Sequence, residues 1–306
     1  MLRTATLLLC AAMLLLGTSR FAMTCFAAAP GTVLRGTKVL PKEGAVFKIG
    51  RETVEDANFP LPYIVQDVKG DWLWVGSDRK GWVQRSQVVT IEEAPEYYTQ
   101  MLTDGRQKAW AYNLRAIAWQ HKGDLDLAIA DFGERLRLEP DATTFSNRAD
   151  AWRLKGQFDK AIADCDHAIR LDPDSAFAYN NRGMAWSGKR EYGKAIADFN
   201  QAVRLDPAFL EGYNNTAWLL ATCPDENFRN GKRAVALATK ACELSEWTIA
   251  ASLDTLAAAH AEAGNFDMAI RYEKRAIELG SHDRELRKGT QQRLALFLDH
   301  NAFQDE

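Results

Sequence analysis

Cysteine is scarce, and what remains of it is unpaired. Of five cysteines in 306 residues, Cys10 and Cys25 belong to the amino-terminal stretch. Cys165, Cys223 and Cys242 remain, an odd number that excludes a disulfide framework, so size rather than cross-links must stabilise the fold. Acidic residues are absent before Glu43. Elsewhere the charges nearly balance, with 38 lysines and arginines against 41 aspartates and glutamates, a formal net charge of −3 and a pI near 6.0. That balance gives no electrostatic reason to bind nucleic acid. Signatures of catalysis are missing too: there is no G-x-S-x-G elbow, no H-E-x-x-H, no phosphate-binding glycine loop and no paired C-x-x-C. His121, His167, His260, His282 and His300 are isolated in sequence. The chain therefore reads as non-enzymatic, with no cofactor or metal expected. At 47% hydrophobic and 26% charged, its composition is that of a folded protein rather than a disordered or collagenous one.

The first 29 residues differ from the rest. Arg3 precedes the apolar run Leu7-Leu8-Leu9-Cys10-Ala11-Ala12-Met13-Leu14-Leu15-Leu16, and Ala27-Ala28-Ala29 follow just before Pro30. A basic start, a short apolar core and a small-residue exit describe a secretory signal peptide. The core is too short to span a bilayer, and Arg20 interrupts any longer reading. The expected location is periplasmic or extracellular, the alternative being an uncleaved amino-terminal membrane anchor; no integral span is expected in the mature chain. A lipidated Cys25 is disfavoured, because Ala22-Met23-Thr24 is a poor lead-in. Without Arg3 and Arg20 the formal charge becomes −5.

From about residue 106 to 280 the chain repeats itself. Ala118-Trp119, Ala151-Trp152 and Ala185-Trp186 are spaced by 33 and then 34 residues, and Ala-Ile-Ala-Asp at Ala128, Ala161 and Ala195 keeps the same offsets. Pro140, Pro173 and Pro207 share the period, which signals stacked supersecondary units. Each unit decodes as two helices. Phe145, Ala149 and Trp152 share one face of a first helix; Phe158, Ala161, Ile162, Cys165 and Ile169 form the stripe of a second. Gly156 supplies the turn between them, and Asp172-Pro173 ends the second helix. One such hairpin cannot bury both faces, so neighbours must stack.

These residues resemble the tetratricopeptide repeat: a large residue, then small, aromatic, glycine, aromatic, alanine and proline at that family's spacing. The resemblance implies a mainly α fold, an α-solenoid of five helical hairpins. It is fullest in the second unit. The first has Arg135 where a small residue is usual, and the third has Arg190 in place of the turn glycine. The fourth, from Tyr213-Asn214-Asn215-Thr216-Ala217 to Ala234, holds five extra residues around Cys223–Gly231. The fifth, from about Thr248 to Leu279, is expected to be divergent, and residues 281–306 to form a capping helix and tail.

Residues 30–95 change character. Val46–Ile49, Tyr63–Val65, Trp72–Val75 and Gly81–Val83 are short β-type runs, and Gly70-Asp71 and Ser77–Gly81 offer hairpin turns. Four or five short strands here suggest a small all-β barrel. The run Gly70-Asp71-Trp72-Leu73-Trp74-Val75 followed by Gly81-Trp82-Val83 resembles a bacterial SH3-like domain, which implies peptidoglycan or protein ligands. Alternation puts Trp72 and Trp74 on one face. Trp72, Trp74 and Trp82 either line a groove for a proline-rich or wall peptide or fill the barrel core. Tyr97-Tyr98, in the joint over 92–105, are expected to pack on the first repeat.

The candidate binding residues of the array are Asn113, Asn147, Arg148, Asn180, Asn181, Arg182, Asn214 and Asn215, near the starts of the first helices. The resemblance implies that these helices line a concave groove for protein or peptide partners. Asparagines there either hydrogen-bond an extended backbone or hold adjacent hairpins together, while arginines could pair with carboxylates. Recognition of a carboxyl-terminal tail in this family uses lysine, asparagine and arginine. Asn113, Ile117, Asn147, Phe177 and Asn181 stand there, and only Asn147 fits. Asp131, Asp164 and Asp198 recur once per unit, which points to hairpin architecture. Cys223 and Cys242 fall at opposite ends of their hairpin, roughly 15 Å apart at 1.5 Å per residue, beyond disulfide reach. The function expected is an exported scaffold recruiting protein partners; the alternative is a wall-associated protein whose SH3-like module binds peptidoglycan, the array being a spacer.

Overall fold

The structure is a computed structural model that describes residue 33 and residues 35–49, 52–55, 61–76, 80–103, 108–280 and 284–305. The signal peptide expected over residues 1–29 lies outside the described residues.

Seven short strands come first: β1 (Lys38–Pro41), β2 (Val46–Ile49), β3 (Glu52–Glu55), β4 (Tyr63–Lys69), β5 (Trp72–Val75), β6 (Gly81–Gln84) and β7 (Val88–Thr90). All pair antiparallel, in the order β3-β2-β6-β5-β4-β1-β7. Lys69 faces Trp72 across the two-residue turn Gly70-Asp71, and Gly70 there takes φ 59°, a left-handed backbone that glycine adopts at no steric cost. The sheet core is Phe47, Tyr63, Val65, Leu73, Val75 and Val83, with Val39 and Val88.

β1 and β7 escape recognition in the sequence because both of their faces are buried, which removes the period-two signal. Val39 and Val88 enter the sheet core. Their neighbours Leu40 and Val89 point the other way, into a second core shared with the helices. That second core also holds Ile91 just before α1 (Ala94–Thr103), Ala94 and Tyr98 within it, and Ala111, Leu114 and Ile117 from the first hairpin. Tyr98 is fully buried. Its hydroxyl donates to the Pro41 carbonyl at 2.6 Å, its ring meets Trp110 edge-on at 6.2 Å, and burial holds the phenol above its ordinary range. The joint is thus a helix seated in a common core.

Five hairpins follow: α2 (Ala109–Lys122) with α3 (Leu125–Leu138), α4 (Ala142–Leu154) with α5 (Phe158–Leu171), α6 (Ala176–Gly188) with α7 (Tyr192–Leu205), α8 (Leu210–Thr222) with α9 (Gly231–Leu244), and α10 (Ala250–Glu262) with α11 (Phe266–Leu279). Asp141 caps α4 by accepting from the Thr144 N–H at 2.9 Å, and Ser175 caps α6 in the same way, satisfying donors that a helix start leaves unpaired. The turns inside hairpins one, two and five use Gly123, Gly156 and Gly264 at φ 85°, 72° and 77°. In the third, Arg190 takes the same left-handed geometry at φ 62°, against the steric preference of a residue with a Cβ.

The lengthened fourth turn is folded rather than loose. Residues Glu226–Phe228 form a single 3-10 turn. Asn230 donates its N–H to the Leu220 carbonyl at 2.8 Å, and its side chain caps α9. Phe228 packs on Tyr192 of the previous hairpin at 5.6 Å, while Arg229 reaches Glu262 of the next at 3.2 Å. The extra residues therefore tie three hairpins together.

α12 (Arg284–Leu298) packs on α10 and α11, with Phe297 and Thr290 fully buried. Arg293 donates to both oxygens of Asp254 at 2.6 and 2.7 Å and lies 3.6 Å from the fully buried Glu273 carboxylate. Among the described residues no helix is long and apolar enough to cross a membrane.

Candidate functional site

The polar residues at the starts of the first helices divide by what they touch. Arg115, Arg148 and Arg182 each grip an aspartate sixteen residues on: Asp131, Asp164 and Asp198, with two contacts per pair at 2.7–2.8 Å. Arg182 also donates to Asp166 of the preceding second helix at 2.7 Å, and Arg115 to Thr99 of α1 at 2.8 Å. α1 thus stands where a preceding second helix would stand. The hydrogen bonds to Asp198, with those to Asp166, hold the Arg182 guanidinium above its ordinary range. Arg148 and Arg182, expected to be open to ligand carboxylates, are already committed, because a bidentate fork closes the edge that a carboxylate would use.

The asparagines also hold hairpins to one another. Asn181, buried, donates to the Ser146 carbonyl at 3.1 Å, and Asn215 donates to the Asn180 side chain at 2.9 Å, each bond joining residues 35 apart. Asn113, Asn147 and Asn214 are half-buried. The Oδ1 atoms of Asn113, Asn181 and Asn214 are buried without a protein hydrogen-bond partner among the described residues.

What the inner ends of the first helices do open is a cavity of about 470 Å³. Its wall draws on three successive first helices: Arg153 and Leu154 at the end of α4, Met184 and Ser187 in α6, and Asn215, Trp218, Leu219 and Thr222 in α8. Phe158, Tyr192, the strained Arg190 and Asp305 also line it. Of the sequence-based candidates only Asn215 lies in it. The others were singled out for polarity near helix starts, whereas the opening is at the helix ends. Trp218 carried a signal: Asp150 and Met184 hold its place in the two preceding hairpins, and a tryptophan there breaks the pattern.

On the sheet the alternation is as expected but the faces are resolved. Leu73, Val75 and Val83 point inward and are fully buried, while Trp72, Trp74 and Trp82 are half-buried on the opposite face. The core-filling reading of the tryptophans fails, because Phe47 and Tyr63, edge to face at 5.2 Å, already fill the interior. Trp74 and Trp82 are cross-strand partners with rings 5.1 Å apart. Lys48 lies over Trp72 at 4.4 Å and Lys69 over Trp82 at 5.2 Å, within cation–π range.

Cys165, Cys223 and Cys242 are all buried and free. Burial pushes each thiol up, that of Cys242 to about 11, so none is a ready nucleophile. His260 is stacked against Tyr272 at 5.5 Å and burial lowers its pKa. No group of three or more His, Cys, Asp or Glu among the described residues is placed to hold a metal.

The tetratricopeptide repeat profile matches residues 142–175, 176–209 and 249–280, the second, third and fifth hairpins. These three hairpins are tetratricopeptide repeats. The fifth repeat, expected to be divergent, is among those matched; its turn glycine and second-helix alanine keep the family spacing despite a lone tryptophan at the hairpin's start. Two solved structures share the fold at 17% identity. One is a thermophilic tetratricopeptide-repeat protein of Thermus thermophilus, with a TM-score of 0.53 over 60% of this chain and 98% of that one. The other is the Cut9–Hcn1 hetero-tetramer of the APC/C, with a TM-score of 0.58 over 69% of this chain and 40% of that one. No curated protein sequence matches the chain.

Proposed function

We propose that this tetratricopeptide-repeat protein is an exported, non-enzymatic scaffold that recruits protein partners through the inner face of its first helices. Tetratricopeptide-repeat proteins act as protein-interaction scaffolds. The observation that carries the reading here is the cavity lined by α4, α6 and α8, where Leu154, Phe158, Met184 and Leu219 present apolar surface beside Arg153 and Arg190. A concave apolar wall with a few placed polar groups is what a recognition site needs. Export rests on the amino-terminal leader motif. A photo-crosslinking residue at Ser187, in the cavity, is expected to capture discrete partners from the envelope fraction, and the same residue at Lys240, on a second helix, is not. Equal labelling from both positions would sink the reading.

A second reading has its own observation, the outward-facing Trp72, Trp74 and Trp82 with Lys48 and Lys69. We propose that this face belongs to an SH3-like module that binds peptidoglycan. Separate fragments are a poor test, since Leu40, Val89 and Ile91 share a core with the first hairpin. The full chain and its Trp74→Ala/Trp82→Ala variant should be sedimented with purified wall sacculi; loss of co-sedimentation in the variant alone supports it.

A further inference from the structure

The carboxyl-proximal residues do not run off into solvent after α12. At Asp299 and His300 the chain reverses, with His300 at φ 56° and its ring stacked on Phe266 at 5.0 Å. The segment Asn301–Asp305 then runs without helix or strand back across the array onto α8. Phe303 lies against Trp218, ring centroids 5.9 Å apart. The Arg293 guanidinium covers both rings at 5.4 Å. Two residues on, Asp305 donates its backbone N–H to the Thr222 carbonyl at 2.8 Å, and its carboxylate accepts from the Trp218 indole at 3.2 Å.

Each contact is of a kind that an extended peptide makes with a receptor. Thr222 is the last residue of α8, so its carbonyl is one that a helix end leaves without an intrahelical donor. The indole N–H of Trp218 needs an acceptor because the ring is half-buried. An aromatic residue followed two positions later by a carboxylate meets both needs at once. The seat is also continuous with the cavity, since Trp218, Thr222 and Asp305 all line it. From Asp305 it leads on past Tyr192 and Met184 towards Arg153 and Arg190. Arg153 there is paired with Asp150 at 2.7 Å, so Arg190 is the cation that favours an acidic occupant, and Met184 gives an adaptable wall.

We propose that segment 301–305 is a resident occupant of the partner groove, and that the groove's external ligand is an extended segment of a partner protein carrying an aromatic residue two positions before a carboxylate. The ligand binds by displacing the resident segment, which withholds the Trp218–Thr222 seat from sequences that cannot match it. This rests on the scaffold reading above and specifies its ligand. A tethered segment competes at an effective concentration on the order of millimolar, so the open state is the minor one and apparent affinity is reduced by its fraction.

The test uses the full chain and an end-blocked, fluorescently labelled Asn-Ala-Phe-Gln-Asp peptide, with binding read by anisotropy. In the Phe303→Ser/Asp305→Asn variant, which releases the seat without touching its floor, the peptide is expected to bind about tenfold more tightly than to the wild type. Adding Trp218→Ala to that variant should abolish binding. Met184→Lys, in the cavity wall and away from the segment's contacts, should weaken binding of longer peptides extended by two residues at the carboxyl side. Equal affinity for wild type and released variant overturns the resident-segment proposal, as does retained binding without Trp218. No binding to a released variant whose melting transition is intact overturns the ligand class. In either case, capture from Ser187 still reads the scaffold function separately, so the two failures are distinguishable.

Discussion

The first three hairpins and the last place buried charge in opposite ways. In the first three, the core position of the second helix is apolar, occupied by Phe132, Cys165 and Phe199, all buried. The charges there are an arginine from the first helix and an aspartate from the second, paired at the edge of the hairpin. In the fifth hairpin the corresponding core position is Glu273, fully buried, with Asp254 on the first helix. Both are answered by Arg293 from α12. A pair closed within one hairpin gives its buried aspartate a cation without help from the next hairpin. A pair of carboxylates whose cation comes from the next helix makes the fifth hairpin dependent on its cap. The array therefore closes its buried arginine–aspartate pairs hairpin by hairpin at its start and needs a third helix to complete the charge cluster at its end.

The largest effect should come from giving one of the first three hairpins a buried acid without its cation. Ala161 is fully buried against the second hairpin's core, and Ala161→Asp is expected to cost roughly 4 kcal/mol or more, read as loss of hydrogen-exchange protection across α4 and α5. Removing the cation at the other end comes next. Arg293→Ala leaves the Asp254 carboxylate buried without its cation, a loss of about 3 kcal/mol, and should free α12 and segment 301–305 together while the second hairpin keeps its protection. Loosening of both regions alike would erase the distinction drawn between them.

A third test uses pH. Burial, with the charge of Asp254 beside it, holds the Glu273 carboxyl well above the ordinary glutamate range, so the folded state keeps a proton that the unfolded state releases. Its contribution is fully present below the unfolded value of about 4.3 and declines as pH rises towards the folded one. Melting temperature should fall from pH 5 to pH 9 in the wild type, and Glu273→Gln should flatten that slope and stabilise the protein at pH 8. An unchanged slope would mean that Glu273 is charged in the fold. The smallest effect is at the turn: Arg190→Gly relieves a left-handed backbone at a residue with a Cβ and should stabilise the third hairpin by about 1 kcal/mol.

The same contrast marks what was legible in the sequence. The hairpins were, because each core position recurs with the repeat; Ala149, Ala161 and Cys165 sit in one buried cluster as their spacing predicts. The Asp131, Asp164 and Asp198 series was legible as architecture for the same reason, although the sequence left their arginine partners assigned to a ligand. The Asp254–Glu273–Arg293 cluster was not legible. Its members come from three helices, two of them 39 residues apart, and no period links them. The seat of Phe303 and Asp305 has no helical or strand pattern to announce it. On the sheet, alternation grouped Trp72 with Trp74. Only the packing of Phe47 and Tyr63 decided that their face is the outer one.

The sheet-bearing core around Tyr98 has a consequence at the level of assembly. A solenoid is a one-dimensional stack whose end surfaces are copies of its internal joints, so an uncovered end invites another molecule to continue the row. Here α1, with the strands behind it, occupies the surface on which a preceding hairpin would dock. α12 packs on the other, against α10 and α11. Among the described residues, each end joint of the stack is therefore occupied by this chain's own non-repeat elements.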